Sequence, residues 1–508
     1  VRPGRGPVAV IALGCPKNLV DSEVMAALVG RAGLTLTSDP AEAAAIIVNT
    51  CAFIRPAREE AWERIAEAAE LRRRGSCRVL VVAGCLAERF AEEIRERFPE
   101  VDGVFGTGEV EEAAAALALG LGRGPGTAGL PARSAGSRLP PGYLPGSDIP
   151  RLVSTPRPYA YLKIAEGCGH RCSFCLIPSL RGPYRSRRPE DIVAEARALG
   201  DLGVRELILV AQDTTAYGRD LAGKPLLAPL VRRLLDSTDL AWLRVLYAHP
   251  GSLPDEFVDL LAEESGAANP AGGWRRLCRY LDLPMQHASD RILRAMRRSE
   301  TRRSLTALVK RLRDRVPGLT LRSTFIVGFP GETDDDFHIL LDFLRETRLE
   351  HAGFFAYSPE EGTAAAGLPG QVPEDEKAER LAAASAHQRG ISLEWRRQLV
   401  GRRLRVIVDG EVVSGRRGRS PGSPGSGPDG AVKEAGAGSR RGVRRPVRVV
   451  ARAESDAPEI DGRVIVTTPA DRTSGPWPPA PGDFLEVTVT GAGPYDLTAV
   501  HEPGGSSS

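Results

Sequence analysis

Three apolar runs in the first hundred residues each end in a cysteine, and this repetition constrains the fold more than any other feature of the chain. Val-Ala-Val-Ile-Ala-Leu-Gly leads to Cys15, Ile-Ile-Val-Asn-Thr to Cys51, and Val-Leu-Val-Val-Ala-Gly to Cys85. The separations of 36 and 34 residues each leave room for one helix between consecutive strands. Strands over Val8–Leu13, Ala45–Asn49, Arg78–Ala83 and Gly103–Phe105, with helices over Asp21–Arg31, Arg58–Arg73 and Ala87–Phe98, predict an open parallel α/β sheet covered on both faces. Adjacent strands lie about 4.8 Å apart, so thiols at their carboxyl ends converge. That edge is also where open α/β sheets bind ligands. A free cysteine alone is a common core residue; three at equivalent strand ends are a constellation.

A second cysteine group is more compact. Cys168, Cys172 and Cys175 form C-x3-C-x2-C just past a predicted strand, Tyr159–Ala165. Further strands over Glu206–Ala211, Trp242–Tyr247, Arg279–Leu283, Leu319–Val327 and His351–Ala356 alternate with helical stretches. Six such units predict a partial (β/α)6 barrel, whose chemistry belongs at the carboxyl ends of its strands. A structural zinc site normally takes four ligands from paired knuckles. No fourth cysteine follows at such spacing, and His170 sits awkwardly inside the loop itself. Three thiolates instead fit a 4Fe–4S cluster with one iron left open. Cys77 and Cys278 have no comparable partners and read as ordinary core thiols.

The chain has 508 residues, enough for about three domains. Its net charge of +3 gives no global case for a nucleic-acid or membrane partner. No apolar run is long enough to span a membrane, and the short one after the Pro/Gly/Arg-rich start, Val1 to Val8, is too short for a signal peptide. A cytoplasmic protein without disulfide partners is expected. Domain boundaries follow composition: an α/β domain over 7–120, a Gly/Pro-rich linker over 121–153, the barrel over 154–392 and a small antiparallel β-barrel over 398–504. Residues 415–445, rich in Ser, Pro, Gly and Arg, interrupt this last module as a low-complexity insertion.

The C-x3-C-x2-C triplet resembles the signature of radical S-adenosylmethionine enzymes. That resemblance implies that the open iron chelates S-adenosylmethionine, which one electron cleaves to methionine and a 5′-deoxyadenosyl radical. Two cysteine triplets followed by a C-terminal β module resemble, over nearly the whole chain, the methylthiotransferase family. Four segments are similar to its ribosomal-protein branch: Gly14-Cys15-Pro16-Lys17-Asn18 with Asp21-Ser22-Glu23, Val210–Gly218, Asp282–Asp290 and Asp456–Gly462. The resemblance implies two 4Fe–4S clusters, on Cys15, Cys51 and Cys85 and on Cys168, Cys172 and Cys175. It further implies methylthiolation of an aspartate β-carbon in small-subunit ribosomal protein twelve, free or within the ribosomal particle, with S-adenosylmethionine as methyl donor and radical source. The electron donor comes from outside the chain.

Alternatives remain at this point: the same chemistry on an adenosine derivative in tRNA, or structural metal sites with the β module as an RNA clamp. The resemblance makes that module TRAM-like. With 415–452 left out, its five basic residues (Arg402, Arg403, Arg405, Arg463 and Arg472) face eleven acids from Asp409 to Glu502, a balance suited to a basic protein. Gln286 and His287, just after a barrel strand, are candidate catalytic residues, although such a histidine is more often structural. Gly328, Gly331 and Glu332 are candidates for contact with S-adenosylmethionine; the plainer reading is a strand-to-helix turn with Thr333 as N-cap.

Overall fold

The computed structural model describes residues 6–122, 144–146, 148–266, 275–411, 448–468 and 478–501. Most of the expected linker 121–153 and all of the expected insertion 415–445 lie outside the described residues. The chain divides into two compact units, Val1–Trp395 and Arg396–Ser508.

The first unit opens with parallel strands β1 (Val8–Ala12), β2 (Ala45–Thr50), β3 (Val79–Gly84) and β4 (Gly103–Phe105), paired in that order. Helices α1 (Pro16–Arg31), α2 (Arg55–Arg73), α3 (Cys85–Arg97) and α4 (Val110–Gly122) follow the strands in turn. β2 and β3 are buried at every position, as their unbroken apolar sequences require. Successive residues point to opposite sides: Ile47 and Val81 pack under α1 and α4, whereas Ile46, Val48 and Val82 pack under α2 and α3. All three expected helices start earlier than the sequence suggests, α1 at Pro16 rather than Asp21, α2 at Arg55 rather than Arg58 and α3 at Cys85 rather than Ala87. Proline is at home at a first helical position, where its missing N–H costs no helical bond. The early starts make Cys15 the N-cap of α1 and Cys85 the first residue of α3.

The same unit continues with β5 (Tyr159–Lys163), β6 (Ala165–Glu166), α5 (Ile177–Arg181), β7 (Arg185–Ser186), β8 (Glu206–Val210), β9 (Trp242–Val245), β10 (Tyr280–Asp282), β11 (Thr320–Val327) and β12 (His351–Ala356). Parallel sheets β5-β8-β9 and β10-β11-β12 join through the parallel bridge Leu243–Leu277, giving the six strands of a partial barrel. The strand expected to run from Tyr159 to Ala165 breaks at Ile164. Beyond the break, β6 turns aside to pair antiparallel with β7. This two-stranded ribbon closes the loop that carries Cys168, Cys172, Cys175 and α5.

In the second unit β13 (Arg403–Glu411), β14 (Val449–Ala453), β15 (Val464–Thr467), β16 (Phe484–Ala492) and β17 (Leu497–Val500) form a closed barrel in the order β13-β14-β15-β17-β16. The expectation of an antiparallel barrel is corrected in one respect, because β15 and β17 pair in parallel. The reason is geometric: a ring of five strands cannot alternate direction all the way round. Four strands were legible in the sequence; the fifth, β17, closes the ring. Of the residues counted in the acidic balance, Asp471, Arg472 and Glu502 lie outside the described residues. Arg452 grips Asp409 in a bidentate pair at 2.8 and 3.0 Å, and Arg403 pairs with Glu486. Asp461, Asp483 and Asp496 accept backbone N–H groups in turns.

Low in the barrel, Glu206 and Arg244 are both fully buried and meet at 2.7 Å. Replacing Glu206 by Ala strands a buried cation and should cost about 3–5 kcal/mol. The double change Glu206→Leu with Arg244→Met removes both charges and should cost much less. Urea unfolding midpoints of the two variants test that ordering.

Candidate metal centres

Parallel pairing sets Ala12 of β1 beside Asn49, and Thr50 of β2 beside Gly84. Cys15, Cys51 and Cys85 therefore leave the sheet side by side at its carboxyl edge. Their closeness depends on Gly14, which has φ +88°; a Cβ there would lie 2.6 Å from the Cys51 Cβ and 2.8 Å from its Sγ. Asn18 fastens the turn by donating from Nδ2 to the Leu13 carbonyl at 2.6 Å and to those of Asn49 and Thr50 at 3.3 Å. Asn49 answers with Nδ2 donations to the Asn18 carbonyl at 3.0 Å and the Ser22 Oγ at 2.8 Å.

The three thiols are electrostatically unequal. Burial works against ionisation of Cys15, but Lys17, Arg181 and the N–H groups of Asn18 and Lys17 outweigh it and hold that thiol below its ordinary value. Burial, reinforced by Cys85 and Cys15, pushes Cys51 up to about 12. Burial also raises Cys85, although Arg181 hydrogen-bonds to it and opposes the rise.

In the second triplet, Cys168 N–H donates to the Gly182 carbonyl at 3.2 Å, and Cys175 N–H to the Cys172 carbonyl at 3.2 Å. Ser173 pins the middle of the loop, donating from Oγ to the Ala295 carbonyl at 2.8 Å. Burial raises Cys168 to about 11 and, helped by its two neighbouring thiols, Cys175 to about 12. His170 is engaged elsewhere: its Nε2 lies 2.7 Å from Asp213 and its ring stacks on His249 at 3.9 Å. Cys77 and Cys278 are buried in the core, and all eight cysteines are free.

The helix α5 joins the two sets, because it begins just after Cys175 and ends on Arg181 beside the first triplet. Arg181 is 1% exposed. It donates to both Glu166 oxygens at 3.0 Å, to Asp21 at 3.3 Å and to the Asn18 Oδ1 at 3.2 Å. Lys163 completes the group, pairing with Asp21 and, at 2.9 Å, with Glu166. Gln212 donates to Glu166 at 2.7 Å. Two further buried seams bind the N-terminal sheet to the barrel. Arg151 sits between Glu23 at 2.6 Å and Glu195 at 2.8 Å, while Glu360 receives Arg58 at 2.6 Å and Arg89 at 3.1 Å. Lys163, Glu166 and Arg181 were missed in the sequence, although a lysine and a glutamate inside the apolar stretch Tyr-Ala-Tyr-Leu-Lys-Ile-Ala-Glu are a visible sign of buried charge pairing.

The other sequence candidates lie around the barrel. Gln286 follows β10 with φ +73°, exchanging backbone hydrogen bonds with Thr324 and Ile326 of β11. His287 is fully buried; its Nδ1 accepts from Ser289 N–H at 2.9 Å and its Nε2 lies 3.3 Å from Glu332. The space beside Gly328 is filled by the chain itself, since a Cβ there would lie 2.3 Å from the Lys377 Cγ. Gly331 donates to the Gly370 carbonyl at 2.7 Å, and Glu332 receives Arg380 at 3.0 Å. Thr333 caps the following helix in a capping box.

Residues 7–106 match the uncharacterized protein family UPF0004, 162–344 the radical SAM superfamily and 443–501 the TRAM domain. The ribosomal protein uS12 methylthiotransferase RimO of Desulforudis audaxviator is 46% identical over 492 residues, 97% of this chain and 96% of its own length. That of Pelotomaculum thermopropionicum is 44% identical over 491 residues, 97% and 98% respectively. The chain belongs to the uS12 methylthiotransferase family. Among solved structures, the radical S-adenosylmethionine methyltransferase TsrM from Kitasatospora setae aligns with a TM-score of 0.49 at 17% identity, covering 76% of this chain and 89% of that one.

The radical SAM match carries with it a 4Fe–4S cluster and S-adenosylmethionine. The residues present fit such a group: three soft thiols on one pinned loop, at the carboxyl end of the first barrel strand. The first triplet offers the same donor set with two cations, Lys17 and Arg181, close by. Among the described residues no three His, Cys, Asp or Glu side chains already stand as a set able to hold a single metal ion. What points to clusters is the thiol chemistry and its charged surroundings.

In metal-free protein the unequal thiols should alkylate in order. Cys15 should react with iodoacetamide below the pH of a free cysteine, about 8.5, and Cys51 only well above it. Removing a cation disfavours the thiolate, so Lys17→Met should move the onset for Cys15 upward. Peptide mass spectrometry across a pH series reads both effects.

Proposed function

We propose that this chain installs a methylthio group on the β-carbon of an aspartate in small-subunit ribosomal protein twelve, using S-adenosylmethionine as methyl donor and as radical source. The observation that carries the reading is the near full-length identity to relatives named for uS12 methylthiolation. Two thiol triplets tied together through α5 support it. In this reading Cys168, Cys172 and Cys175 hold one 4Fe–4S cluster and Cys15, Cys51 and Cys85 a second. The group that Cys168, Cys172 and Cys175 would hold would supply the one-electron reduction of S-adenosylmethionine that radical chemistry at the substrate carbon requires. Segment 7–120 carries the sulfur site, 154–392 the radical site and 398–504 the TRAM-like module.

The chain's own residues position rather than react. Ser173 and the ribbon β6-β7 fix the radical loop, and Arg181, Asp21, Glu166 and Lys163 lock the sulfur site to it. A transferred group must reach the carbon before that carbon meets another hydrogen source, so fixed distance between the two sites is a chemical requirement.

Assaying the reconstituted protein with labelled S-adenosylmethionine, ribosomal protein twelve and tRNA side by side tests the reading. A mass increase on the ribosomal protein's aspartate is expected; label entering only tRNA would replace this reading with nucleic-acid modification. Cys172→Ala removes a ligand of the radical triplet and should abolish 5′-deoxyadenosine formation. Cys51→Ala should leave part of that formation while eliminating methylthiolated product, read by chromatography of both products from one reaction.

A further inference from the structure

Lys17 is the unexplained charge at the junction of the two sites. It follows the N-cap Cys15 by two residues and is only 8% exposed. Its ammonium is not among the solvent-excluded polar atoms that lack a partner, so the tip keeps accessible surface while the stem is buried. The neighbouring buried cations are all paired: Lys163 meets Asp21 and Glu166, and Arg181 meets Glu166 and Asp21. Among the described residues Lys17 makes no hydrogen bond or ion pair; its Nζ instead rests 3.5 Å from the centroid of the Tyr247 ring. The nearest sulfur along the chain is that of Cys15, which the proposed function assigns as a cluster ligand.

Tyr247 is itself held against preference. It follows β9 at the carboxyl end of the barrel with φ +59°, a left-handed conformation that a bulky side chain rarely adopts. Asp282 accepts its N–H at 3.0 Å, and its carbonyl accepts from the Thr214 N–H at 3.0 Å and Oγ1 at 3.2 Å. The barrel thus fixes an aromatic face beneath a lysine supplied by the first turn of α1. A ring quadrupole attracts the cation without neutralising it, leaving its charge available to an incoming anion.

We propose that Lys17 receives the side-chain carboxylate of the substrate aspartate and so presents the adjacent β-carbon between the sulfur site and the radical site. This rests on the reading of an aspartate as the target. A carboxylate is the ligand chemistry that fits, because an ammonium of fixed position pairs with it by a charge-assisted hydrogen bond. The carboxylate of S-adenosylmethionine is the other source of that chemistry. The substrate is the assigned one because Lys17 lies on the side of Cys15, whereas the cofactor belongs with Cys168, Cys172 and Cys175.

The test measures equilibrium binding of ribosomal protein twelve, and of its target Asp→Asn variant, to the reconstituted protein by fluorescence anisotropy. Binding of S-adenosylmethionine is measured in parallel, with iron content and melting temperature as checks on folding. Lys17→Met keeps the stem over Tyr247 and removes the charge. It should weaken binding of the aspartate substrate by about 30-fold or more and bring the ratio between Asp and Asn substrates close to one. Lys17→Arg should restore part of the preference, and S-adenosylmethionine affinity should be unchanged in both variants. Undiminished preference for Asp over Asn in Lys17→Met overturns the assignment, as does loss of S-adenosylmethionine affinity with substrate binding intact. A wild-type protein that binds the Asp and Asn substrates equally also overturns the assignment, whereas the aspartate reading fails only if the labelled product carries no mass increase on that aspartate, so the two failures are separable.

Discussion

Arg181 is the interaction on which the rest of the first unit depends. Its guanidinium, delivered by the helix that follows the radical triplet, lies among Glu166 of the ribbon, Asp21 and Asn18 of α1, and the Cys85 thiol. Burying one such charge costs several kcal/mol, and four together are tolerable only because two cations meet two anions. Asp21 comes from α1 of the N-terminal α/β part, while Lys163, Glu166 and Arg181 come from the barrel part. The charges balance only when the two parts dock in one way. A shifted docking leaves a carboxylate or guanidinium buried and alone. Such a network adds little net stability over an apolar seam, but it penalises every other arrangement.

That selectivity suits the chemistry. The seams at Glu23–Arg151–Glu195 and at Glu360 with Arg58 and Arg89 repeat the device on other sides of the same contact. Together they fix the carboxyl edge of the four-stranded sheet against the mouth of the partial barrel. Each thiol triplet occupies one of those edges, so the distance between them is held by ion pairs rather than by a flexible connection. Arg181 also links position to electrostatics, because the group that locks the docking is the one that tempers the burial of Cys85.

Much of this was legible in the sequence, and what was not has a physical reason. Apolar runs ending in cysteine identified the strands and the edge where their thiols meet, since a strand buried on both faces has no alternative composition. Helix starts were misplaced by a few residues because Pro16 and Cys85 act as terminal residues, whereas periodicity becomes visible only once a helix is under way. The ion-pair network was invisible because its members are 142 and 160 positions apart in the chain. Gly328 shows a different difficulty. A glycine after a strand is compatible with a ligand's close approach and with a neighbouring side chain's; only packing reveals that Lys377 takes the space.

The backbone marks the reactive region independently of the cysteines. Of the five non-glycine residues with positive φ among the described residues, Tyr247 and Gln286 follow the adjacent barrel strands β9 and β10 at their carboxyl ends. Both are restrained by hydrogen bonds to the neighbouring strand region, Tyr247 through Asp282 and Gln286 through Thr324 and Ile326. Strain of this kind persists only where the surroundings over-determine it. Asp282 and Gln286 belong to the segment Asp282–Asp290, and Thr214 to Val210–Gly218, two of the segments similar to the ribosomal-protein branch. Gly14, Asn18 and Asp21 belong to a third. These segments therefore do not act as separate sites. One supports the thiols, another carries the strained turn after β10, and the third supplies the hydroxyl and amide that hold Tyr247 beneath Lys17.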